Sequence, residues 1–304
     1  MIAGPLGWIG ERARWVLLIG CLVAVFLPAL SALLRPLLPA LIALVLGLSV
    51  ARMELRAFMR GFASPRLVML LVILTALLMP VTAGLLAVVL PLVGMPDSFT
   101  AAAILFALAP PISSAAGLCF ILGFDARRAL EVTLVATVLT PLIGPVMIAA
   151  LLPGTDAPPA IDLMFSLSRM ILGGLAIGIA IRLALGGAAI AARKTEFDGI
   201  SAIGMVLFVI PLFDGVGPLV FARPGLALAV LAFAVLLNFG ANIVVAAMSR
   251  PALGGATAGA LGLMWGNRTV ALYLAALPFD PVFALFVALY QFPMYATPLV
   301  FGRR

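Results

Sequence analysis

Long apolar runs separated by short polar connections set the pattern of this chain. Taking about 20 apolar residues per bilayer crossing, the runs fall at 15–34, 37–50, 67–93, 100–123, 129–152, 163–187, 200–221, 225–248, 252–277 and 281–301. They predict ten transmembrane helices. Between the second and third, residues 51–66 carry Arg52, Arg56 and Arg60 at a four-residue spacing beside Leu55, Phe58 and Met59, which predicts an amphipathic helix lying at the membrane surface. The first run is longer than a signal-peptide core and no small-residue cleavage site follows, so it is expected to stay as a helix.

Two runs carry breaks. In the fourth, Ala109-Pro110-Pro111-Ile112-Ser113-Ser114 contains adjacent prolines, which remove two backbone donors and clash with the preceding turn. The helix is expected to stop there, with Ser113 and Ser114 placed to cap the second half or to face a site. In the ninth, Gly262 and Gly266 weaken the helix just before Asn267-Arg268. An arginine at bilayer depth costs from about 3 to above 10 kcal/mol unless a partner faces it. Arg268 is expected either to face a solute or to pin half-helix carbonyls.

The two breaks are arranged alike. Pro110-Pro111 is followed in the next run by Thr140-Pro141-Leu142, and Asn267-Arg268 by Thr297-Pro298-Leu299, at nearly the same separation. Residues 1–157 and 158–304 therefore read as two repeats. With an odd number of spans, five each, the second must enter the membrane from the opposite side. The half-helix amino termini of the two breaks would then present unpaired N–H groups to a shared cavity near mid-depth, which suits an anion.

Composition agrees with a polytopic membrane protein: 65% of the residues are hydrophobic and only 10% charged, far from soluble domains. The net charge of +7 would point to nucleic acid in a soluble chain. Here the basic residues sit in the short connections, where they set orientation, and no nucleic-acid partner is expected. With a cytoplasmic amino terminus, the ten-span map sends Arg12, Arg14, Arg52, Arg56, Arg60, Arg66, Arg127, Arg128, Arg182, Arg193, Lys194, Arg250, Arg303 and Arg304 to the inner side. Only Arg35 and Arg223 go to the outer side, with Arg169 and Arg268 inside spans. Both termini are then cytoplasmic, in a multi-pass protein of a bacterial inner membrane. The preference for arginine over lysine suggests a GC-rich bacterial genome. Cys21 and Cys119 lie inside apolar runs and there is no histidine, so neither a disulfide framework nor a metal cofactor is expected.

The ordered set Leu55-Arg56-Ala57-Phe58-Met59-Arg60 with Pro65, Leu78-Met79-Pro80, the broken fourth run with Ser114, the Gly123 and Asp125 turn, the Thr-Pro-Leu helix and Asn267 resembles the bile acid:sodium symporter family. The resemblance implies a panel domain of spans 1, 2, 6 and 7 and a core domain of spans 3–5 and 8–10. Broken helices 4 and 9 cross in the core, and small organic anions move by alternating access. The residues proposed to contact substrate are Asn267, Arg268, Ile112, Ser113 and Ser114. At the family's sodium positions this chain has Thr75, Ser114-Ala115, Ala129 and Thr133, Gly262 and Gly266, so Ser114, Thr133 and Thr75 are what is left of the metal sites. With no carboxylate there, sodium coupling is in question. Arg268 could then supply, as a fixed guanidinium, some of the positive charge that sodium brings.

Other polar residues within the spans have simpler readings. Glu131 lies one turn from Arg127 and Arg128, so it is expected to form an interfacial ion pair or else to carry protons. Asn238 and Asn242 suit interhelical hydrogen bonds, and Thr133 and Thr137 can bond carbonyls of their own helix. The alternatives to this secondary transporter are a sodium-coupled symporter with an altered cation site, a passive channel, and an intramembrane lipid-modifying enzyme. The last needs clustered acids, a nucleophile with its base, or a metal.

Overall fold

The computed structural model describes residues 4–52, 65–154 and 157–301. The surface helix expected at 51–66 lies outside them apart from its ends. Among the described residues the elements are helices, and the one extended pairing outside them is a single antiparallel bridge between Pro111 and Arg268. Seven helical runs are long and apolar enough to cross a bilayer: Pro28–Ala51, Leu71–Leu92, Ala126–Leu151, Ala160–Leu185, Lys194–Phe213, Pro224–Gly266 and Pro281–Phe301. Trp15–Ala24 and Asp97–Leu108 are shorter apolar helices. Large apolar side chains stand far out from the protein, with Leu92 79%, Leu183 80% and Met248 77% exposed. In water such a surface would be a liability, and in lipid it is the expected exterior. The chain is an all-α, multi-pass membrane protein.

Proline placement moves the first two runs from their expected bounds. The chain leaves the helix at Ala24, and Leu27 (φ −115°, ψ 51°) precedes Pro28, which opens the next helix. A residue before proline avoids helical geometry, whereas proline itself fits a first turn. The run then continues from Pro28 through a tight turn at Arg35–Leu37 into Leu38–Ala51. Arg35, expected in an outer loop, therefore sits inside a helical run. Prolines 80, 141 and 145 are accommodated inside continuous helices. Between the eighth and ninth runs the only non-helical residue is Gly254, at φ 76° and ψ 166°, a conformation open to glycine and almost closed to other residues.

The described residues group into two compact units. One comprises 4–52 and 169–227. Its helices approach through glycine: a Cβ on Gly47 would meet Ile177 at 2.6 Å, one on Gly174 would meet Leu46 at 2.7 Å, and one on Gly178 would meet Val50 at 2.6 Å. Small residues of this kind let helix backbones close up where lipid gives no hydrophobic drive. Arg52 is paired with Asp198, and Arg182 Nη1 donates to the Ala51 carbonyl at 3.1 Å.

The other unit comprises 65–168 and 228–301. Its apolar centre includes Leu71, Ala115, Cys119, Leu122, Ala129, Val132, Val135, Ala260, Leu263 and Met264. A second layer is aromatic, with Tyr290 edge-on to Phe106 at 5.6 Å and stacked with Phe286 at 5.7 Å. These layers hold two interruptions. Asp97–Leu108 ends at Ala109 and Ala115–Leu122 begins after Ser114; the helix ending at Gly266 resumes only at Ala271–Ala276.

Candidate functional site

The last carbonyls of a helix have no intrahelical donor, and here the following prolines bring no N–H of their own. Donors from the other interruption take them in order. The Leu108 carbonyl accepts from Tyr273 Oη at 3.0 Å, Ala109 from Arg268 Nη1 at 2.7 Å, Pro110 from the Thr269 amide at 2.8 Å, and Pro111 from Thr269 Oγ1 at 3.3 Å. In the other direction the Ile112 amide donates to the Asn267 carbonyl at 3.0 Å. Each interruption thus completes the other's backbone, and the N–H groups of Ile112 and Thr269, just ahead of the second half-helices, are satisfied.

Arg268 is 1% exposed. Its Nε donates to the Trp265 carbonyl at 3.2 Å, its guanidinium lies 4.6 Å from the centre of the Trp265 ring, and its amide donates to Tyr290 Oη at 2.7 Å. Nη2 is buried with no hydrogen-bond partner among the described residues. Of the two roles open to Arg268, its contacts are those of an arginine pinning half-helix carbonyls, with one donor left over. No carboxylate among the described residues pairs with it.

Asn267 is wholly buried. Its Nδ2 donates to the Leu263 carbonyl at 2.9 Å, and its Oδ1 accepts from Thr297 Oγ1 at 2.9 Å and Asn238 Nδ2 at 3.3 Å. Asn238 also donates to the Gly266 carbonyl at 2.5 Å, which Tyr290 Oη reaches at 2.7 Å, while Asn242 bonds the Asn238 carbonyl at 2.9 Å. Asn267 is the knot of a buried network. Where the two interruptions pair, Ile112, Ser113, Ser114, Trp265 and Thr269 are all partly exposed. Ser114 occupies the N-cap position of Ala115–Leu122, yet its side chain makes no capping bond.

Tyr273, Tyr290 and Thr269 are not among the residues expected at the site, and Thr297 is expected only as part of the repeated Thr-Pro-Leu motif. The signal was there: a tyrosine deep in an apolar run needs a partner for its hydroxyl, and a break supplies unpaired carbonyls.

The sodium that the resemblance implies does not fit these residues. A Cβ on Gly262 would strike the Asn242 carbonyl and lie 2.9 Å from Ala246 Cβ, and one on Gly266 would strike Asn242 Nδ2 and the Asn238 carbonyl. Ala115 and Ala129 are buried in the apolar centre, and Thr133 Oγ1 is directed at Met264 Sδ, 3.7 Å away. Thr75 is buried as well. Hard cations need a cage of oxygens, and of these positions only Thr75, Ser114 and Thr133 carry a side-chain oxygen, the others being methyls or glycines in a close helix contact.

Glu131 is 2% exposed and both its oxygens are taken, by Arg127 Nε at 3.0 Å and Arg128 Nη1 at 2.7 Å. These are the contacts of an ion pair. Thr137 Oγ1 donates to the Thr133 carbonyl at 2.7 Å, within its own helix. No protein-family model and no curated protein matches the chain.

Proposed function

We propose that this protein is a secondary carrier of small organic anions, built as a ten-span inverted repeat on the plan of the bile acid:sodium symporter family. Spans four and nine cross as broken helices within the core domain. One observation carries the reading: two interrupted helices exchange backbone hydrogen bonds around a buried guanidinium that no carboxylate among the described residues pairs with. Irregular backbone at membrane depth is tolerated where it borders protein or a cavity, and inverted-repeat carriers place their solute sites at such points. A fixed positive charge beside partly exposed Ser113, Ser114 and Thr269 favours an anionic solute with further hydrogen-bonding groups.

The grouping of 4–52 with 169–227, and of 65–168 with 228–301, supports a panel and a core that move as separate bodies during alternating access. The arginine distribution supports cytoplasmic termini in a bacterial inner membrane.

The test is counterflow. Proteoliposomes holding the full-length protein, preloaded with an unlabelled organic anion chosen by thermal-shift screening, are given a trace of the labelled anion outside. A carrier accumulates label transiently above equilibrium and saturates; a channel only equilibrates. Turnover of a lipid substrate in detergent with no counterflow would replace this reading with the enzymatic one.

A further inference from the structure

We infer that the guanidinium of Arg268 is the resident cation of the crossing, and that the folded protein neither needs nor takes up sodium there. The inference deepens the carrier reading and rests on it for its consequence, a transport cycle free of sodium coupling.

Each helix ending in unpaired carbonyls carries about half a negative charge at that end. Two such ends meet at the crossing: Asp97–Leu108, capped by Ala109, and the last turn of the helix that stops at Gly266. Arg268 bonds one carbonyl from each, Ala109 at 2.7 Å and Trp265 at 3.2 Å. The guanidinium thus bonds a carbonyl at each helix end, and these bonds hold it in place with no carboxylate among the described residues paired to it. The Trp265 ring face adds to this stabilisation.

A side-chain oxygen at 262 or 266 would have to start from a Cβ that the neighbouring helix forbids, through the backbone carbonyls of Asn242 and Asn238. Carbonyls in a helix cannot rotate away, so a ligand there requires the helices to separate. Asn242 and Asn238 fill this space, and Asn238 ties the Gly266 carbonyl. A second buried cation at Gly266 would also lie two residues from Arg268, whose guanidinium no carboxylate among the described residues pairs with, and like charges repel.

The experiment uses the purified full-length protein in detergent, without substrate, and follows thermal unfolding in sodium, potassium and choline chlorides at equal ionic strength. Equal midpoints in the three salts are expected. A ligand at ten times its dissociation constant would raise the midpoint by roughly 3 °C, so a sodium-specific rise of that size overturns the inference. In a second arm, Arg268→Lys is expected to unfold at a higher temperature than Arg268→Gln, and millimolar guanidinium, but not choline, is expected to raise the midpoint of the glutamine variant. A glutamine variant as stable as the wild type overturns the assignment of the resident charge. Should that variant not fold, the wild-type salt comparison still decides. Counterflow that strictly requires sodium would leave the carrier reading standing and remove this one.

Discussion

Tyr290→Phe removes one oxygen from the second interruption and leaves the ring packing intact. The phenyl ring keeps its edge contact with Phe106 and its stack on Phe286, so no cavity of consequence forms. What changes is the Arg268 amide, whose acceptor at 2.7 Å is that hydroxyl. The Gly266 carbonyl keeps Asn238 Nδ2 at 2.5 Å. A buried N–H left without an acceptor costs about 1–3 kcal/mol, and about 2 kcal/mol is expected here. Tyr273→Phe is the matched control. It strips a donor from the Leu108 carbonyl, leaving an acceptor in want, which buried structure tolerates better than an orphaned donor. About 1 kcal/mol is expected.

The two variants differ by one atom each and are read by thermal unfolding with a thiol-reactive dye. Cys119 is buried in the unit that holds the crossing, and Cys21, the other cysteine, is replaced by alanine so that Cys119 alone reports. At about 2–4 °C per kcal/mol, Tyr290→Phe should lower the midpoint by about 4–8 °C, roughly twice the fall for Tyr273→Phe. Equal stability of Tyr290→Phe and wild type, or a larger loss for Tyr273→Phe, would refute the claim that Tyr290 Oη braces the second interruption from within and that Tyr273 Oη ties it to the first.

Gly144→Ala would push a methyl against the Tyr273 hydroxyl, with Cζ at 3.2 Å; its cost should fall by about 1 kcal/mol in a Tyr273→Phe background, measured as a double-mutant cycle. Gly262→Ala and Gly266→Ala should each destabilise by about 1–3 kcal/mol by overpacking a helix contact, seen as lower midpoints and poorer yield. Ser114→Ala should leave the midpoint within about 0.5 kcal/mol, since no capping bond is lost, while weakening anion-induced thermal stabilisation if the hydroxyl faces the solute. Glu131→Gln breaks two ion pairs but should leave the pH profile of counterflow unchanged, and a shifted profile would restore the proton-carrying role.

The sequence by itself determined that this is a membrane-spanning helical protein, because apolar runs of bilayer length leave the backbone no other way to satisfy itself. It also determined where the helices fail. Pro110-Pro111 cannot donate, and an arginine amid leucines must find carbonyls or an anion. The tertiary structure decided which. Nothing in the residue order near 108–111 names Tyr273, Arg268 and Thr269 as donors, because the pairing spans more than 150 residues of chain. Nor could Gly262 and Gly266 be told apart, in sequence, from residues that merely loosen a helix; their role depends on how closely Asn238 and Asn242 approach. The first span boundary moved for a related reason: several prolines competed to break one long run, and only the packed chain selected Pro28. Local chemistry fixes what each segment lacks, and the fold fixes which distant segment supplies it.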